Sequence, residues 1–193
     1  MSKKLFALLF LLLIISTRPA LAQKAEEAKP EQIEASKLDE KAEILALYLS
    51  KKNSPLEYHA QDFIDAAKTY DLDWKLVAAI SGVESTFGKF IPGGYNGWGW
   101  GVYGTQAIYF SSWKEGIFIV SKGLKENYIN RGLTDPYLMN KIYATSPSWG
   151  SKVTYFMQDI EKFASQFEND GKDLSTIHYS PNIAAVSASP VLR

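Results

Sequence analysis

The chain has 193 residues, of which 21 are basic and 21 acidic, so it is formally neutral, and it has no cysteine. Disulfides and thiol chemistry are excluded, and its two histidines, His59 and His178, stand too far apart to suggest a metal site. A neutral chain without a basic patch also argues against a nucleic-acid partner.

The sequence opens Met1-Ser2-Lys3-Lys4, continues from Leu5 to Ile15 without a polar residue, and reaches Ala20-Leu21-Ala22. A basic start, a short apolar run and a small-residue exit describe a secretory signal peptide over residues 1–22. The apolar run of 11 residues is well short of the ~20 needed for a spanning helix, so no stable membrane insertion is expected after cleavage. The expected location is secreted, periplasmic or otherwise in the cell envelope. Without that segment 18 basic residues face 21 acidic ones. Residues 23–37 are rich in Glu, Lys, Ala and Gln and read as a polar linker.

A globular domain is expected over 38–168, mainly α and large enough for one core. Ile44, Leu47 and Tyr48 predict a first helix, stopped by Asn53-Ser54-Pro55. Phe63, Ala66, Ala67 and Tyr70 predict a second. Asp71 and Asp73 stand before a third helix carrying Leu76, Ile80, Val83 and Glu84, and either aspartate suits its cap. Between Gly93 and Gly104 six positions of twelve are glycine, interleaved with Tyr95, Trp98, Trp100 and Tyr103. Glycine's backbone entropy excludes helix there, and the Trp98, Trp100, Val102 alternation suits a short strand or hairpin, in which Trp98 and Trp100 would share a face. Ser112 then caps a helix with Trp113, Ile117, Val120, Leu124 and Tyr128 in phase. Gly132 ends it, and Asp135-Pro136 starts the next, with Tyr137, Leu138 and Ile142. A last helix carries Trp149, Val153, Phe156, Ile160, Phe163 and Phe167. Residues 169–193, rich in Pro, Ser and Ala, read as a mobile tail.

Glu84 is the first candidate for chemistry. On a continuous helix it shares a face with Val77, Ile80, Phe87 and Gly88, and a carboxyl in apolar company has its charged form disfavoured. A general acid working near neutral pH needs this. Gly88 is expected to leave room beside the carboxyl.

At this point the residues carry a resemblance. Glu84-Ser85-Thr86-Phe87-Gly88 resembles the Glu-Ser-x-x-Gly motif of the lysozyme-like superfamily. That superfamily includes goose-type lysozymes, soluble lytic transglycosylases and the glucosaminidases of glycoside hydrolase family 73. The lead-in from Tyr70 to Ile80 is similar to the segment before the catalytic Glu of lytic transglycosylases. Tyr143-Ala144-Thr145-Ser146-Pro147 resembles the Tyr-Ala-Thr-Asp-Pro segment of the glucosaminidases, after which a Trp or Tyr and a helix follow, here from Trp149. The likeness covers about residues 58–163. Two departures stand out: the Gly-Leu-Met-Gln run of many lytic transglycosylases is absent, and Ser146 replaces the aspartate.

The resemblance implies a lysozyme-like single domain, with the glycine-aromatic loop or hairpin beside a cleft. It also implies cleavage of the β-1,4-linked GlcNAc/MurNAc backbone of peptidoglycan, by a lytic transglycosylase or an N-acetylglucosaminidase. Glu84 matches the acid, and no second carboxylate announces itself, since Glu115 and Asp135 fall where a helix start favours an acid. Tyr143 is a candidate for the polar group beside the reacting sugar, or else a core aromatic. Tyr95, Trp98, Trp100 and Tyr103 are candidates for sugar stacking, with two expected in the cleft and two in the core. Asn96 is a candidate for an acetamido contact, and Ser85 either orients Glu84 or binds backbone. No cofactor and no metal are expected; the expected partner is the peptidoglycan glycan strand, met by a monomer. The competing expectation is a glycan-binding module that kept the fold without catalysis.

Overall fold

The computed structural model describes residues 39–169 apart from Tyr103 and Thr105, and all features below belong to those residues. The expected signal peptide and linker, and the tail after Asn169, lie outside them. Within them the protein is mainly α: six α-helices and two short 3-10 helices, with no strand.

Helix α1 (Glu40–Lys51) starts where the Asp39 carboxylate accepts the Lys41 N–H, and its acids and Lys51 fall at the ends that the helix dipole favours. It stops at Asn53, whose φ is +53°. Ser54 then caps a 3-10 turn over Pro55–His59 by accepting the Leu56 N–H. Helix α2 (Ala60–Tyr70) ends at Asp71 in the left-handed conformation, so Asp71 closes α2 instead of opening the next helix. Asp73 takes the Lys75 N–H in the turn that follows.

Helix α3 (Leu76–Ser85) is apolar nearly all round, and that composition places it in the interior. Only Val83 and Glu84 escape full burial, so the helix brings one carboxylate from the core to the surface. It packs on α6 (Trp149–Asn169) and also touches α4 (Trp113–Asn127), which itself lies against α2. Ser112 caps α4 through the Glu115 N–H, and the Glu115 carboxylate takes the Ser111 N–H in return, a reciprocal capping pair. α5 (Pro136–Tyr143) is capped by Asp135, which accepts from the Tyr137 and Leu138 N–H groups, and it lies against α6. Both acids considered as a second carboxylate are thus engaged at helix starts.

The end of α3 is unusual. Thr86, Phe87 and Gly88 take φ of +54°, +59° and +78° in succession. For the two residues with a Cβ this costs about 1–2 kcal/mol each. The turn throws the Phe87 ring back into the core, where it meets Tyr48 and Phe156 edge-on, with centroids 5.8 and 5.0 Å away. Gly82 makes the space: a Cβ there would come within 2.7 Å of that ring. Two other helical glycines serve the loop in the same way. A Cβ on Gly116 would sit 2.6 Å from the Trp98 ring, and one on Gly123 would sit 2.2 Å from Trp100.

Burial of Phe87 offsets the backbone cost of the turn, so Phe87→Ala is expected to lower unfolding free energy by about 3–5 kcal/mol. Urea denaturation followed by circular dichroism measures it; a loss below about 1 kcal/mol would mean that the turn is held by other contacts.

Candidate active site

The Ser85 hydroxyl knits three backbone segments together at the end of α3. It accepts the Gly88 N–H at 2.8 Å and lies 2.7 Å from the Gly97 carbonyl and 3.0 Å from that of Ser81, either of which takes its hydrogen. Ser85 is buried, so of its two expected roles the backbone one is seen. Gly88 does not make room for Glu84. Because the helix stops at Ser85, Phe87 and Gly88 leave its face, and a Cβ on Gly88 would instead crowd Trp113 and Leu56.

The room comes from Gly99. With φ at +60°, it brings its backbone against Glu84, and a Cβ there would lie 2.9 Å from Oε2. The loop holding Gly99 is organised by Asn96, which is 1% exposed. Its amide group donates to the Trp100 and Ile108 carbonyls and its oxygen accepts from the Trp98 and Trp100 N–H groups. All its hydrogen-bonding capacity is spent within the loop, so a contact with an acetamido group is not available to it here.

Trp98 is also displaced from the cleft. It is fully buried, donates its indole N–H to the Val77 carbonyl at 3.0 Å, and meets Phe63, Phe110 and Trp113 edge-on. Trp100 is half-buried against Tyr128 and Tyr143, and Tyr95 is half-buried against Trp113. The expected shared face of Trp98 and Trp100 does not exist. It assumed a strand, whereas Gly99 and Gly101 both have left-handed φ and turn the chain between side chains. Tyr103 lies outside the described residues.

Tyr143 ends α5 and stacks on Trp149, with ring centroids 4.4 Å apart and planes 20° from parallel. Its hydroxyl donates to the Trp98 carbonyl at 2.7 Å, so it supports the loop and is not aimed at a reacting sugar. Burial holds its pKa well above the usual tyrosine range, and the charge of nearby Glu84 adds to this.

Periodicity and the resemblance both put Trp149 at the start of the last helix without giving it a role, and the structure brings it to the acid. Its indole N–H donates to Glu84 Oε1 at 2.6 Å. Asn140, another residue without a sequence signal, fixes the segment that delivers it: its amide group donates to the Ala144 and Ser146 carbonyls and its oxygen accepts the Gly150 N–H. The position of Trp149, directly after the Tyr143–Pro147 segment, was the available clue.

Glu84 is an exposed residue whose carboxyl is partly stripped of water by these neighbours. Desolvation raises its pKa above the ordinary 4.5, and the bond from Trp149 opposes the rise in part. Its place in the last turn of α3, where the helix dipole disfavours an anion, acts in the same direction as desolvation. Among the described residues no group of three His, Asp or Glu side chains could hold a metal ion, and no helix is long and apolar enough to cross a membrane.

No protein-family model matches the chain. It is 33% identical over 126 residues to a Streptococcus pneumoniae serotype 4 (strain TIGR4) protein named "Putative endo-beta-N-acetylglucosaminidase". The match covers 59% of this chain and 19% of that protein. A protein of the same name from Streptococcus pneumoniae strain R6 is 33% identical over 126 residues, which are 59% of this chain and 18% of its own length. The chain thus spans about a fifth of the length of these relatives.

A raised acid pKa means that the native state holds its proton more tightly than the unfolded chain. Stability from this source is complete below about pH 4.5 and is lost as pH rises through the higher native value. Glu84→Gln keeps an oxygen for Trp149 and removes the desolvated charge, so at pH 7 it is expected to be at least as resistant to urea as the wild type. A clear loss of stability at pH 7, vanishing at pH 3, would show that the charged form is stabilised instead.

Proposed function

We propose that this protein is an exported glycosidase that cleaves the β-1,4-linked aminosugar backbone of peptidoglycan, with Glu84 as its general acid. The observation that carries this reading is the placement of Glu84: an exposed carboxyl of raised pKa at the end of a buried helix, with one oxygen bonded to Trp149 and the other beside glycine backbone. The name shared by the relatives supports an N-acetylglucosamine glycoside as the substrate. The signal-like start and the two motif resemblances support the cell wall as its source.

Glycoside cleavage requires a protonated carboxyl at the leaving oxygen and support for an oxocarbenium-like transition state. In this reading neutral Glu84 gives its proton to the glycosidic oxygen as the C–O bond breaks. The electron-poor carbon is met by the oxygen of the sugar's own acetamido group. Glu84, now ionised, takes a proton from the attacking water or from a hydroxyl of the same sugar. Engagement of Glu115 and Asp135 in caps supports a mechanism with one protein carboxylate.

Glu84→Gln is expected to lower cleavage by about 10²- to 10⁴-fold, the scale of general acid catalysis. Release of soluble muropeptides from purified sacculi measures this, and mass spectrometry of the products separates hydrolysed from anhydro ends. A folded Glu84→Gln chain that cleaves at the wild-type rate would remove Glu84 from the mechanism. Activity is also expected to fall on the alkaline side as the acid loses its proton, with a midpoint above 4.5. A rate still climbing at pH 9 would instead indicate a limiting base.

A further inference from the structure

We propose that Trp149 is a positioning residue for the acid: its indole N–H holds Glu84 Oε1 as an acceptor and so confines the acidic proton to Oε2. This rests on Glu84 being the general acid, and it assigns a role to a residue that touches the acid without touching substrate.

The indole nitrogen carries one hydrogen and has no acceptor capacity. In a neutral carboxyl the carbonyl oxygen is a better acceptor than the hydroxyl oxygen, so the N–H contact of 2.6 Å favours Oε1 as the carbonyl. The neutral carboxyl therefore carries its proton on Oε2, the oxygen that faces the exposed backbone of Gly99. A carboxyl with two equivalent oxygens divides its proton between them, whereas the indole contact makes the two oxygens of Glu84 inequivalent.

The arrangement works only if the indole cannot turn aside. Trp149 is 2% exposed and stacked on Tyr143. Tyr143 is in turn tied through its hydroxyl to the Trp98 carbonyl, one residue before Gly99. On the backbone side, the Trp149 N–H bonds to the Ser146 carbonyl and Asn140 clasps Gly150. A Cβ on Gly150 would come within 2.7 Å of the Pro136 carbonyl oxygen, so the start of α6 is seated directly on that of α5. Oε1 is thus placed by a chain of contacts running through Trp149 and Tyr143 to the Trp98 carbonyl, and the residue after Trp98 is the glycine beside Oε2. The other titratable group beside Glu84 in this chain is the Tyr143 hydroxyl, which stays neutral throughout the working range.

The contact is read on the wild-type protein without any glycan, from the assigned indole ¹H–¹⁵N resonance of Trp149 between pH 3 and pH 9. It is expected to shift with the midpoint of the Glu84 carboxyl, followed by ¹³C, and to lose that titration in Glu84→Gln. An indole resonance indifferent to the ionisation of Glu84 overturns the proposal, even if Trp149→Phe does not fold. The kinetic arm uses Trp149→Phe, which keeps an aromatic ring on Tyr143 and removes the donor. The expected result is a fall in kcat of up to about 100-fold, the scale of a misplaced reacting group, with KM little changed. Its alkaline limb should also move to higher pH, because the donor that favoured the carboxylate is gone. A folded Trp149→Phe enzyme with wild-type kcat and an unmoved alkaline limb overturns the proposal. Failure of the reading on which this rests is told apart without the indole resonance: a wild-type protein that releases no muropeptides is not a glycosidase of this kind, and a Glu84→Gln chain that cleaves at the wild-type rate has another acid.

Discussion

The left-handed turn over Thr86, Phe87 and Gly88 is the constraint on which the rest of the site depends. A helix as apolar as α3 has no reason to stop near the surface, and one more helical turn would carry Phe87 onto the face that Glu84 occupies. The turn ends the helix one residue after the acid and sends Phe87 inward, against Tyr48 and Phe156. It also brings the Gly88 N–H onto the Ser85 hydroxyl, so the short motif after the acid is a backbone device. Ser54 reinforces it from another element by donating its hydroxyl hydrogen to the Phe87 carbonyl. Glu84 thereby stands on a rigid, mostly buried support, with water on one side.

Irregular backbone surrounds the acid on its other sides, and two asparagines give it a fixed shape. Asn96 folds the glycine loop about its own side chain, and Asn140 does the same for the link between α5 and α6. Each supplies donors and an acceptor from one short, stiff side chain, where strand pairing is absent. The loop is then tied to the helices by the Trp98 indole and the Tyr143 hydroxyl. In this way a segment that is half glycine becomes a defined wall.

Helix content and order were legible in the sequence because apolar residues recur at helical spacing and caps stand where they should. Ser112 and Asp135 mark real starts, whereas α4 stops at Asn127 and Gly132 closes the 3-10 turn Ile129–Arg131 that follows it. Glu84 was legible as an acidic exception in an apolar helix. Its neighbours were not, because the left-handed turn invalidates spacing arguments beyond Ser85. Alternation misled at Trp98 and Trp100, since glycines with positive φ break the two-residue period on which strand reasoning depends. Asn96 looked like a ligand group and proved to be a scaffold group, a distinction that depends on partners distant in the sequence. The approach of Trp149 to Glu84 spans 65 residues, and helical spacing carries no information on a contact so distant.

The glycines inside α3 and α4 have a consequence for how the molecule holds together. Each weakens its own helix by about 0.5–1 kcal/mol relative to alanine, and each is occupied by an aromatic ring from the turn or loop beside the acid. Without Trp98 and Trp100 in place, α4 would have two empty notches and a reduced tendency to be helical. The loop is therefore not a flap laid over a finished scaffold. Scaffold and loop share these contacts, so a change that removes a ring from the loop also leaves a helix with an unfilled notch.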